Sequence, residues 1–242
     1  MTILVLGESG QVASHLRELL PDAVYWGRRT FDLGAPAGLT AAIEALAPAV
    51  IVSAAAYTAV DNAESEPDLA WAINAEAPAA AARAAKALDV PLIHISTDYV
   101  FDGRKTSPYE VGDACAPINV YGASKLGGEL ATRAIWPKHW ILRTSWVFSA
   151  HGTNFLKTIL RLAQREPTLR VVGDQHGRPT YAGHLARLIA KLASDGVAGP
   201  ALPYGTFHAV GGPAATWFDF AATIVGEAHR QGLIQQRPGR ER

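Results

Sequence analysis

The sequence predicts an α/β chain: a Rossmann-type, doubly wound parallel sheet with a smaller C-terminal substrate-binding portion. Two observations predict it. Short apolar runs at residues 2–6, 24–26, 49–54, 92–96 and 140–143 alternate with longer helical patterns. Strands that are apolar throughout, separated by helices, belong to parallel sheets covered on both faces. The first run also leads directly into the turn Gly7-Glu8-Ser9-Gly10-Gln11-Val12-Ala13, which opens a helical pattern.

Between the strands, helices are expected over residues 11–20, 39–46, 68–88 (one long alanine-rich helix) and about 121–134. After about Ser145 the rhythm loosens, with short strands at 169–172 and 206–210. Thr216 is placed to cap a helix whose apolar side carries Trp217, Phe220, Ala221 and Ile224. Regular structure is expected to stop near Gly232, and the polar tail 235–242 to fray. Residues 1–150 thus form a dinucleotide-binding domain to which later strands can return, and residues 151–242 a mostly substrate-binding portion.

Composition narrows the function. The 242 residues are 49% apolar, enough for a sizeable core, and 22 basic groups balance 22 acidic ones. A neutral balance offers no electrostatic footprint for nucleic acid or for an anionic membrane. The single cysteine, Cys115, excludes an intramolecular disulfide, and no histidine lies near it in sequence to activate its thiol. The N-terminus has neither the basic nor the long apolar stretch of a signal peptide, and no apolar run approaches the ~20 residues that span a bilayer. A cytoplasmic protein is expected. His94, His151, His176, His184 and His208 show no metal-ligand spacing, so no metal is expected.

A strand, then Gly-x-x-Gly-x-x-Ala, then a helix is the setting of a dinucleotide-binding turn. Gly7 permits the tight turn, Gly10 lets backbone approach a pyrophosphate, and Ala13 is small enough for helix to pack on strand. The helix N-terminus offers free N–H groups to the phosphates. NAD binders place an acid after the second strand; here the sequence is Trp26-Gly27-Arg28-Arg29. Guanidinium groups suit a 2′-phosphate, which predicts NADPH with NADH as the lesser alternative, unless both arginines are simply solvated. Asp32 is expected near the adenine edge.

Tyr121 and Lys125 are four apart, hence on one helix face. An ammonium nearby lowers a phenol from its reference pKa near ~10, and such a tyrosine passes a proton to a carbonyl oxygen as hydride arrives at carbon. Thr97, ending the fourth strand, is placed to hydrogen-bond a substrate carbonyl, or merely to satisfy backbone groups there.

Together these features resemble the extended short-chain dehydrogenase/reductases, and within them the branch that reduces the 4-keto group of dTDP-deoxysugars. The segments 54–64, 96–103, 119–125, 143–148 and 174–180 carry the resemblance, which runs to roughly residue 232. It implies that Gly7, Gly10, Gln11 and Val12 line the pyrophosphate and that Asp32 and Leu33 approach the adenine. Ala55, Ala56 and Tyr57 would lie along the cofactor. Tyr121 would be the proton donor and Lys125 its partner and ribose ligand, with Thr97 tuning the tyrosine and touching the 4-keto sugar. Asp98 and Trp146 would contact the sugar nucleotide, although Trp146 equally suits a core. Family members continue for some tens of residues in a stretch that helps close the substrate portion, so that portion is expected to be incomplete here. Two alternatives stay open: a non-catalytic cofactor-binding regulatory subunit, and a 4-ketoreductase for another deoxysugar nucleotide. A monomer or homodimer is expected.

Overall fold

The computed structural model describes residues 2–235 and 238–241, and in it the apolar runs become strands of one parallel sheet. β1 (Ile3–Leu6) turns into α1 (Gln11–Leu19), followed by β2 (Val24–Trp26), α2 (Leu39–Leu46) and β3 (Val50–Ser53). Three helices, α3 (Val60–Ala63), α4 (Pro67–Trp71) and α5 (Ala77–Leu88), precede β4 (Leu92–Thr97). Then come α6 (Val120–Ile135), β5 (His139–Thr144), β6 (Val147–Phe148), α7 (Phe155–Ala163), β7 (Thr168–Arg170), β8 (His176–Gly177) and β9 (Thr180–Tyr181). The chain closes with α8 (Ala182–Ala198), β10 (Gly205–His208), β11 (Ala215–Thr216), α9 (Trp217–Arg230) and β12 (Gly239–Glu241).

Six strands pair in the order β2-β1-β3-β4-β5-β10, all parallel. Successive side chains point to opposite faces. Val5, Val50, Val52 and Ile93 meet Val12 and Leu16 of α1 and Leu185 and Ile189 of α8. Leu4, Leu6, Ile51 and Leu92 meet α2 and the alanines of α5. Burial on both faces explains why these strands read as continuous apolar runs; each fully buried aliphatic side chain contributes roughly 1.5–3 kcal/mol. The chain leaves β1 toward β2 on one side and toward β3 on the other. A crevice for a ligand therefore opens beyond the carboxyl ends of β1 and β3.

Residues 151–242 divide between two bodies. α8 and β10 return to the main sheet. α7 and α9 instead build a second core around Ile159, Leu169, Phe220, Ile224 and Val225. Thr216 caps α9 with a reciprocal capping box to Asp219.

Two expectations are corrected. The helix predicted over 68–88 is broken by a π turn, Ala72–Glu76. Pro78 has no N–H to continue the ladder, and the wider turn aims Asn74 inward. Wholly buried, Asn74 accepts from Tyr57 N at 2.9 Å and donates to Tyr57 O and Ser124 Oγ, each at 3.0 Å. The tail expected to fray forms β12, parallel to β7, beginning with Gly239 N donating to Pro167 O at 2.8 Å. Backbone groups pair along an edge whatever the side-chain polarity. Just before it, Ile234 is buried in the second core. Gln236, Arg237 and Arg242 of that tail lie outside the described residues. No helix among the described residues is long and apolar enough to cross a membrane.

Candidate active site

A cleft of about 670 Å³ opens at the carboxyl ends of the strands. Its floor is the glycine turn. Gly7 sits at φ +133°, and a Cβ there would stand 3.1 Å from Ala55 N. Both the positive φ and the close approach require glycine. At Gly10 a Cβ would meet nothing within 4 Å, because that position faces the open cleft. No side chain caps α1, and its first turn carries no acidic residue. Its exposed N–H groups and positive dipole end therefore suit an anionic pyrophosphate. Gln11 and Val12 also line the cleft. Gln11 ties the turn to the later chain, donating to Val147 O at 3.3 Å and accepting from Asn154 Nδ2 at 2.9 Å.

At the β2 end, Arg28, Asp32 and Leu33 line the cleft and Arg29 does not. Arg28 Nε lies 3.9 Å from Asp32 Oδ1 with its side chain mostly exposed. Asp32 also accepts from Gly34 N at 2.9 Å, which holds the loop. Trp26 stacks with Phe31 beside them. Along the middle, Ala55 and Ala56 line the cleft. Tyr57 is outside it. Asn74 holds its backbone, its hydroxyl donates to the Glu66 carboxylate, and its ring packs with the cluster of Ala63, Ala70 and Tyr121.

Thr97, Asp98, Tyr121 and Lys125 converge on the same cleft. Asn119 caps α6 by accepting from Gly122 N at 2.7 Å, which places Tyr121 in the first turn. Tyr121 and Lys125 are both buried. Thr97 Oγ1 donates to Asp98 Oδ1 at 3.1 Å and accepts from Tyr99 N at 3.2 Å. Burial raises the Asp98 carboxyl to about 6, against the hydrogen bonds from Thr97 and the backbone.

The lysine-driven lowering of the phenol is not what this geometry shows. Burial pushes Tyr121 up to about 12, and the hydrogen bond with Thr97 only partly opposes it. The Lys125 ammonium instead donates to Ile95 O at 2.6 Å. Burial lowers Lys125 to about 8 while the Glu129 carboxylate pulls the other way.

Glu129, one turn beyond Lys125, escaped the sequence reading. It is wholly buried and receives Arg143 Nε at 2.9 Å, Arg143 Nη2 at 2.7 Å and Ser96 Oγ at 2.6 Å. The four-residue period of Tyr121, Lys125 and Glu129 was the available signal. Cys115 also meets Arg143, whose Nη2 lies 3.2 Å from Sγ. His94, read as core or surface, is wholly buried, and burial holds its imidazole well below the usual range.

The far wall is aromatic. Trp146 lies flat on Trp217, ring centroids 3.5 Å apart and planes 11° apart, and both line the cleft. Trp146 has φ +47°. A Cβ at Gly177 would stand 2.3 Å from its indole, so Gly177 leaves room for the ring on that strand. Trp217, expected on the apolar side of α9, packs there against the second core and also lines the cleft. The β11–β8 pairing and the Thr216 cap set its direction, and these long-range contacts leave no local signal.

This fold and cleft define a Rossmann-type enzyme of the extended short-chain dehydrogenase/reductase class. Within that class, the chain belongs to the family described as the RmlD substrate binding domain, which it matches over residues 1–239. It is 43% identical over 240 residues to the dTDP-4-dehydrorhamnose reductase of Salmonella typhimurium, covering 96% of this chain and 80% of that one. It is 46% identical over 228 residues to the enzyme of the same name from Sinorhizobium fredii, covering 93% and 77%. Among solved structures, a dTDP-4-dehydrorhamnose reductase from Bacillus anthracis in complex with NADP superposes with a TM-score of 0.88 at 34% identity, covering 99% of this chain and 82% of that chain.

Proposed function

We propose that this chain reduces the 4-keto group of a dTDP-deoxysugar with NADPH, converting dTDP-4-dehydro-L-rhamnose to dTDP-L-rhamnose. One observation carries the reading: the uncapped N-terminus of α1 and the set Thr97, Tyr121 and Lys125 open into a single cleft. The names of the similar enzymes and the NADP in the Bacillus anthracis structure support it.

Gly7, Gly10, Gln11 and Val12 would hold the pyrophosphate, and Arg28 would take the 2′-phosphate. Bound there, NADPH supplies the hydride that adds to the carbonyl carbon. Tyr121, kept protonated by burial at neutral pH, gives its proton to the 4-keto oxygen. The single Thr97 hydroxyl proton, now on Asp98 Oδ1, would turn to the 4-keto oxygen, so charge developing there is met by a donor. The Lys125 ammonium, now on Ile95 O, would bind the nicotinamide ribose and offset a phenolate. Asp98, just after β4, and the Trp146–Trp217 pair would form the sugar wall.

The test is turnover of dTDP-4-dehydro-L-rhamnose, read as loss of NADPH absorbance, with NADH in parallel. Wild type turns over and prefers NADPH; Tyr121→Phe lowers kcat by about 10²–10⁴-fold while binding NADPH unchanged. Equal rates for the two proteins would overturn the assignment. Tight NADPH binding without oxidation by any sugar nucleotide would point to the regulatory alternative.

A further inference from the structure

We propose that His15, Glu18 and His151 form a binding site for a divalent transition-metal ion that pins the 149–154 loop to α1. These residues lie 136 positions apart in sequence at their extremes, yet their ligand atoms all fall within 4.8 Å of one another. His15 and Glu18 are one turn apart on α1, with Nδ1 3.9 Å from Oε2. His151 Nε2 approaches the other carboxylate oxygen, 3.8 Å from Oε1. The two imidazole rings meet edge to face at 4.9 Å.

The arrangement has the features of a ligand set. His15 is buried, and its Nε2 is held by Ser149 Oγ at 2.9 Å. That contact orients the ring and leaves Nδ1 facing Glu18 and His151, which is how an outer partner orients a metal-bound histidine. Glu18 and His151 are exposed enough to move, their side chains being 66% and 41% exposed. Small rotations bring them to the ~2.1 Å that zinc requires. Two imidazoles and one carboxylate select zinc, nickel or copper over magnesium. Three protein ligands leave a further coordination position for water.

The site reaches the cleft through a short chain of contacts. Ser149 Oγ also accepts from His151 N at 3.0 Å, and Asn154 Nδ2 donates to Ser149 O at 2.7 Å and to Gln11 Oε1 at 2.9 Å. Gly152 and Thr153 of this loop line the cleft opposite the glycine turn. A Cβ at Gly152 would stand 3.3 Å from Gln11 Cγ. An ion at the site therefore holds the loop against the first turn of α1, where a pyrophosphate would lie. This consequence, unlike the metal site itself, rests on reading the cleft as a dinucleotide site.

The test uses the full, tag-free chain stripped with a chelator. Titration calorimetry with Zn²⁺ and no dinucleotide should show one saturable site. His151→Ala and Glu18→Gln, both at exposed positions, should each weaken it by more than the ~10–100-fold that outer-shell changes cost. His15→Ala should abolish it, and His229→Ala, at an exposed position on α9, should leave it unchanged. Excess Mg²⁺ should not displace Zn²⁺. Absence of saturable binding, or equal affinity in wild type and His151→Ala, would overturn the site. In a separate titration, Zn²⁺ should tighten NADPH binding by about fivefold or more, and His151→Ala should lose that gain. Zn²⁺ binding with no change in NADPH affinity would overturn the pinning of the loop, and NADPH failing to bind at all would fault the dinucleotide reading instead.

Discussion

The two walls of the cleft are made of opposite materials. The wall formed by α1 and the ends of β1 and β3 is small residues and backbone: Gly7, Gly10, Ala55 and Ala56. It recognises a ligand with N–H groups, a helix end and close approach, so its geometry comes from φ values and hydrogen-bonded strands. The facing wall is large side chains. Trp146 and Trp217 stack in the cleft, and Phe155 packs against Trp217 at 4.5 Å between centroids. There the geometry comes from packing between segments far apart in the chain. A backbone wall fails when a Cβ intrudes; an aromatic wall fails when one ring loses its support.

Between the two walls lies the buried charge of α6, and the largest effect after loss of the Tyr121 phenol is expected there. Glu129→Ala leaves Arg143 buried and unpaired, which should destabilise the fold by about 3–5 kcal/mol, read as a lower denaturation midpoint. A loss under 1 kcal/mol would show that water or Cys115 compensates the guanidinium. Asp98 comes next. Its folded value is raised, from 3.8 to about 6, so the protonated form is favoured by folding. Its contribution is present at low pH and is lost as pH rises from about 4 through about 6, on the order of 2–3 kcal/mol. Asp98→Asn should flatten that slope and be the more stable protein above pH 6; an unchanged stability–pH profile would show that Asp98 is solvated.

On the backbone wall, Arg28→Ala should weaken NADPH binding by about tenfold, as for loss of one exposed charged hydrogen bond, with NADH binding unchanged. Arg29→Ala should do nothing. The reverse pattern would move the 2′-phosphate to Arg29. On the aromatic wall, Trp217→Leu should lose an aromatic pair, about 0.5–1.5 kcal/mol. KM for the sugar nucleotide should rise about tenfold at most, with NADPH affinity intact. The near-ultraviolet circular dichroism of the coupled indoles should disappear with it. A Trp217→Leu protein that loses NADPH binding instead would erase the distinction between the walls.

Legibility followed the same division. The glycine turn, the strand ends carrying Thr97 and Asp98, and the Tyr121–Lys125 spacing are local patterns, and each lies in the cleft. Arg29 and Tyr57 fall outside the residues that line the cleft, for different reasons. Arg29 sits next to a residue that does line the cleft, and nothing in sequence tells which of two adjacent guanidinium groups turns inward. Tyr57 lies between cleft-lining neighbours, but Asn74, aimed by a π turn, holds its backbone, and Glu66 holds its hydroxyl.

The sequence by itself determined the sheet class, the glycine turn and the face shared by tyrosine and lysine. Each depends on periodicity or on one residue's backbone freedom, and both act over a few positions. Tertiary structure decided the protonation of that face, because burial rather than the neighbouring ammonium governs Tyr121. It alone paired Trp146 with Trp217 and His15 with His151. Those contacts join segments far apart in the chain, Trp146 with the start of α9 and α1 with the 149–154 loop, and no local rule encodes them.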